Sequence, residues 1–129
     1  MNTPAPRFGW CAKFRNAFRG IGLGIRGESS FKVHFFFGAA VMAAGMVLRI
    51  DDLRQWCLLL LCIAIVLSAE LFNSALERMA RAISKRHDPN LGAALDIGSA
   101  AVLAASIGAA TVGTIIFLAR LGELLGWWG

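Results

Sequence analysis

Three long apolar runs, separated by short polar stretches, dominate the chain, and an amphipathic segment precedes them. The first run spans about residues 31–50, and its only charge before Arg49 is Lys32, near its start. The second opens at Leu53, is apolar from Trp56 to Ala69, and keeps a helical pattern to about residue 84. The third covers about 91–118, with Asp96 as its only formal charge. Each is long enough to cross a hydrocarbon core of ~30 Å at ~1.5 Å per residue. Three spans cannot close a barrel, so the pattern predicts transmembrane helices. In the preceding segment, about 12–27, Phe14, Ala17, Phe18, Ile21 and Ile25 recur at helical spacing while Lys13, Arg15, Arg19 and Arg26 supply cations. That combination predicts an amphipathic helix lying on an anionic membrane surface, although four glycines within it lower its helix propensity.

Composition agrees. Of 129 residues, 57% are hydrophobic and only 16% charged, where a soluble domain usually carries about a quarter. One domain is expected, with no room for a separate nucleotide-binding module. No cleavable signal peptide is expected, because charges run through the first thirty residues without an unbroken apolar stretch. Of the three cysteines, Cys57 and Cys62 lie inside an apolar run and read as small hydrophobes; Cys11 completes an odd count with no CxxC spacing.

Lys and Arg orient the spans. Arg7, Lys13, Arg15, Arg19, Arg26 and Lys32 precede or open the first; Arg78, Arg81, Lys85 and Arg86 flank the second connection. The first connection dilutes Arg49 and Arg54 with Asp51 and Asp52, and Arg120 is alone near the C-terminus. The N-terminus and the 84–91 loop are therefore expected in the cytoplasm. The net charge of +5 is then a membrane-face feature that needs no nucleic acid to explain it.

This topology gives the polar residues a depth. Glu70 lies 16 residues, roughly 24 Å, below Arg54, toward the cytoplasmic interface. Asn73, Ser74 and Glu77 follow on one face of the same helix. Glu28 precedes the first span, and Asp96 sits in the opening turns of the third, so four carboxylates and an amide share one layer. Taken singly, Glu77 reads as a solvated charge paired with Arg81, and Asp96 as a complement to a helix dipole. Glu70, preceded by fourteen apolar or small residues, resists that explanation, because burying a carboxylate is costly. Together they predict a cation-binding or proton-transfer site. Carboxylates plus an amide oxygen suit Mg²⁺, and a carboxylate in apolar surroundings suits general-base work on an alcohol. His34 is expected to pack. Gly20-Ile-Gly22-Leu-Gly24 fails as a phosphate loop, since no strand precedes it and no Gly-Lys-Ser/Thr follows. Small residues in the third span (Gly98, Ala101, Ala104, Ala105, Gly108, Ala109) suit close helix packing within or between chains. Trp10, Trp127 and Trp128 suit interfacial anchoring, while Trp56 fits an anchor or an aromatic core equally well.

The stretch Ala69-Glu-Leu-Phe-Asn-Ser-Ala-Leu-Glu77 closely resembles the signature of the small prokaryotic diacylglycerol kinase family, which includes undecaprenol kinases. Ala94 to Leu103 resembles its second conserved block, and Phe14 to His34 its surface helix and first-span entrance. The resemblance implies an all-α membrane protein of the bacterial inner membrane: a surface helix plus three spans, assembled as a homotrimeric helical bundle with shared active sites. It implies transfer of the γ-phosphate of MgATP to a lipid hydroxyl, of diacylglycerol or undecaprenol type, at the cytoplasmic interface. By position it assigns Glu70 as catalytic base, Asn73 as the active-site amide, and Glu28 and Glu77 as metal carboxylates. Asp96 matches a nucleotide-site carboxylate, and Ser99 a residue near the lipid. Arg86, His87 and Asp88 occupy the nucleotide-contacting loop. Two positions depart from the family pattern: Arg81 stands where Asp is usual, and Leu95 where a phosphate-facing Lys is usual. Arg81 is thus a candidate to supply the missing charge. The competing expectations are a non-catalytic or altered-substrate lipid- or nucleotide-binding protein on the same scaffold, and a carboxylate-lined ion path.

Overall fold

The computed structural model describes residues 9–27, 29–83 and 86–128. Four helices follow one another: α1 (Trp10–Gly27), α2 (Ser29–Val47), α3 (Leu53–Ile83) and α4 (Pro89–Leu125), with no strand among the described residues. The last three are long and apolar enough to cross a membrane, as the hydropathy pattern predicts. Short connections force them to run up and down. α3 is the organising helix and packs against each of the other three, most extensively along α4.

Side-chain and backbone caps set the helix ends. α2 stops at Val47, three residues before the expected boundary: Arg49 takes a left-handed conformation at φ 51°, and the Ile50 N–H reaches back 3.1 Å to the Gly45 carbonyl. Ile50 can then turn inward and join Leu59 and Ile116 in a small buried core, with Val41, Trp56, Val112 and Phe117 packed around it. Trp56 is half-buried, and its indole N–H donates to the Ile50 carbonyl at 3.0 Å. The core reading therefore holds for Trp56. Asp52 opens α3 by accepting the Arg54 N–H at 2.9 Å.

α4 is longer than its apolar run suggests, extending to Leu125 instead of about 118. Arg120 and Glu123 interrupt the hydropathy pattern but do not end the helix. The Arg120 Nε donates 3.0 Å to the Leu48 carbonyl, a second guanidinium nitrogen donates to the Arg49 carbonyl, and Nη1 pairs with Glu123 at 3.0 Å. The helix ends at Gly126, whose φ of 68° a residue with a side chain rarely adopts. At the opposite end of the bundle, α1 lies against α3: the Arg78 guanidinium donates 3.0 Å to the Leu23 carbonyl, and Gly24 is buried against Leu71. The outer face of α1 leaves Trp10, Phe14, Phe18 and Ile21 exposed, with Lys13 stacked 4.8 Å over the Trp10 ring. A large apolar stripe without a protein partner is what a membrane-surface helix presents.

Candidate functional site

Among the described residues, the polar residues that are buried outright gather on one helix. Glu70 is 2% exposed, Asn73 9% and Ser74 4%, while Glu77, one turn further on, is half-buried. Their spacing of three, four and seven residues places them on a single face of α3, as the sequence pattern requires.

Burial of Glu70 needs a partner, and α2 supplies it. His34 Nε2 lies 3.0 Å from Glu70 Oε1, with the two side chains 24% and 3% exposed. The expectation that His34 serves only to pack is incomplete. A signal was available in the two spans: a lone polar residue one turn inside the first matches the depth of a buried carboxylate in the second. Only the packing register of α2 on α3 converts that match into contact.

Asn73 continues the row. Its Nδ2 donates to Glu77 Oε1 at 3.1 Å, while its Oδ1 and the Ser74 hydroxyl are buried without a hydrogen-bond partner among the described residues. α4 passes close by at Gly98. A Cβ there would come within 2.7 Å of Asn73 Oδ1 and 2.9 Å of a Leu76 methyl, so glycine permits the approach.

Beyond Glu77 the row opens into a cleft of about 390 Å³ between the end of α3 and the start of α4. Glu77, Arg81, Arg86, His87, Asp88 and Leu95 line it, so five sequence-predicted site residues share one concavity with the departing position 95. Asp88 also starts α4. Its carboxylate accepts the Asn90 N–H at 2.8 Å and the Leu91 N–H at 3.3 Å, and Pro89 occupies the first turn. Asp96 and Ser99 are exposed on α4 and do not line the cleft; the Ser99 hydroxyl donates to the Leu95 carbonyl at 3.1 Å. Glu28 lies outside the described residues.

A second cavity, about 550 Å³, lies between α2, α3 and α4 on the other side of the carboxylate row. Its walls are apolar (Phe37, Val41, Leu59, Val66 and Phe117 among them), and His34 stands where it meets Glu70.

Among the described residues no three His, Cys, Asp or Glu side chains converge as a ready-made metal cage. The Glu77 carboxylate and the Asn73 Oδ1, one turn apart on α3, are hard donors of the kind Mg²⁺ takes, with the Asn73 amide nitrogen, not its oxygen, turned to Glu77. That ion usually completes its shell with water and substrate phosphate, so the donor set fits it in kind.

Residues 15–117 match the family model described as prokaryotic diacylglycerol kinase. The chain is 32% identical over 108 residues to the undecaprenol kinase of Bacillus subtilis, spanning 84% of this chain and 87% of that protein. It is 30% identical over 113 residues to the diacylglycerol kinase of Synechocystis sp., covering 87% of this chain but 64% of the longer relative.

Proposed function

The chain belongs to the prokaryotic diacylglycerol kinase family, a family of lipid kinases, and on that premise we propose that it phosphorylates the hydroxyl of a membrane lipid with MgATP. The acceptor is of the diacylglycerol or undecaprenol class, as in the two named relatives. The observation that carries the proposal is Glu70: a carboxylate 2% exposed, on the same helix face as the Asn73–Glu77 pair that opens into the cleft.

Glu70 takes the proton of the lipid alcohol as its oxygen attacks the γ-phosphorus. The bond from that phosphorus to the β–γ bridging oxygen breaks, and ADP departs. A phosphoryl group needs little covalent help, so positioning and charge neutralisation do most of the work. Glu77, steadied by the Asn73 amide, would hold Mg²⁺ with Glu28, and the ion would neutralise charge on the phosphates. Arg81, Arg86 and His87 line the cleft that would receive the nucleotide, with Asp88 fixing the start of α4. Arg81 and Leu95 line the same cleft, which supports Arg81 as the cation that position 95 lacks. Asp96 and Ser99, exposed on the single chain, would serve a nucleotide and a lipid site completed by neighbouring subunits of a homotrimer. Exposure of Ala101, Ala104 and Gly108 on α4 supports such close packing between chains. The balance of Lys and Arg supports an inner-membrane orientation with α1 on the cytoplasmic face.

The test is transfer of label from γ-labelled ATP to a total membrane-lipid extract, by purified protein with Mg²⁺ and a Glu70→Gln control. A labelled lipid absent from the control is expected, and its chromatographic identity names the acceptor. No label from a correctly assembled protein would overturn kinase activity in favour of a binding role.

A further inference from the structure

We infer that His34 is a positioning residue for Glu70, locking the carboxylate in one orientation; its effect on turnover rests on the kinase activity proposed for this chain. The pair lies 3.0 Å apart between α2 and α3, with Glu70 almost fully buried. A contact of that length is a hydrogen bond, and a carboxylate acting as a base offers only acceptors, so we place the proton on Nε2. His34 therefore donates its Nε2–H to Glu70 Oε1, which leaves Oε2 to receive the proton of an incoming hydroxyl.

Nothing else described nearby does this. The Asn73 amide nitrogen is turned to Glu77, and the Ser74 hydroxyl has no partner among the described residues. On the side of the large cavity the walls are mostly apolar, and the Ser106 hydroxyl on α4 is buried without a partner among the described residues. The terminal torsion of a glutamate is soft, so an unanchored carboxylate samples a wide arc. A misplacement of about 1 Å at a reacting group can cost roughly a hundredfold in rate. His34 removes that freedom from outside α3, which couples the geometry of the base to the seating of α2.

Steady-state kinetics of the full-length protein in lipid, comparing wild type, His34→Leu and His34→Gln, tests the inference. His34→Leu keeps much of the volume and removes the donor; kcat is expected to fall roughly a hundredfold, with KM for ATP and lipid within about twofold. His34→Gln restores an N–H directed at Glu70 and is expected to recover most of the loss. An unchanged kcat in His34→Leu, or His34→Gln as slow as His34→Leu, would overturn the inference.

A second readout does not need turnover. The chain has two histidines, His34 and His87. In ¹⁵N NMR of the side chains, Glu70→Gln is expected to move the His34 Nε2 resonance and leave that of His87 in place. A His34 resonance that does not move overturns the inference, whatever the kinetics. A moved resonance in a wild-type protein that phosphorylates no lipid sustains the contact and counts against kinase activity alone.

Discussion

The two ends of the helical bundle treat their polar groups in opposite ways. Around the α2–α3 turn, Arg120 satisfies the Leu48 and Arg49 carbonyls, Trp56 satisfies Ile50, and Asp52 caps α3. A compact apolar core of Ile50, Leu59 and Ile116 sits beneath them. Around Glu70 the balance reverses, with Asn73 Oδ1 and Ser74 Oγ buried without a partner among the described residues and a cleft opening beside them. Orphaned buried polar atoms cost about 1–3 kcal/mol each, so they mark a place where fold stability gives way to chemistry. One end fixes the helices; the other leaves buried polar atoms uncommitted among the described residues.

The contrast can be broken from either side. Arg120→Met should have the largest effect on the fold, costing about 2 kcal/mol by leaving two helix-terminal carbonyls without their donor. Thermal unfolding in detergent would register it, with lipid phosphorylation at moderate temperature unchanged. Gly98→Ala pushes a methyl toward Asn73 and should lower kcat roughly tenfold with little change in unfolding temperature. An equal loss of both would mean that the site end also holds the bundle together. Arg81→Ala should raise KM for ATP about tenfold, as expected for one charge-assisted contact, and Arg81→Lys should recover part of it. Unchanged ATP affinity and turnover in Arg81→Ala would show that Arg81 does not replace a cation at position 95.

The smallest effect belongs to Asp52. The Arg54 N–H and guanidinium hold its carboxyl below the ordinary value of 3.8. A folded value lower than the unfolded one gives stability that is present above pH 3.8 and disappears as pH falls through the lowered value. Asp52→Asn keeps a capping oxygen but removes the charge, so its unfolding temperature should fall slightly less than wild type on acidification. Solvent access to the pair, whose Arg54 side chain is almost wholly exposed, keeps this difference small.

The same division governs what the sequence makes legible. Apolar runs and cation placement suffice for the surface helix and three spans, because each reports a local transfer energy. Boundaries fail where a tertiary contact overrides hydropathy: α4 runs on past Arg120 because the guanidinium finds carbonyls on the α2–α3 turn. Glu70, Asn73 and Glu77 are readable as a face because helical spacing is itself local. His34 is not, since its role depends on how α2 is seated on α3. Arg81 and Leu95 are far apart in sequence, and only the packing of α4 on α3 puts both on one cleft.

Seven residues of unbroken helix separate Glu70 from Glu77, an axial offset of roughly 10 Å. α3 therefore works as a ruler, with a buried carboxylate at one mark and a cleft-facing acid at the other. A single-residue insertion between Asn73 and Glu77 would not simply lengthen it. At 3.6 residues per turn it would swing Glu77 about 100° around the axis, out of reach of Asn73. On the proposed lipid-kinase reading, an acceptor lipid would have to bring its hydroxyl to the depth that the helix dictates.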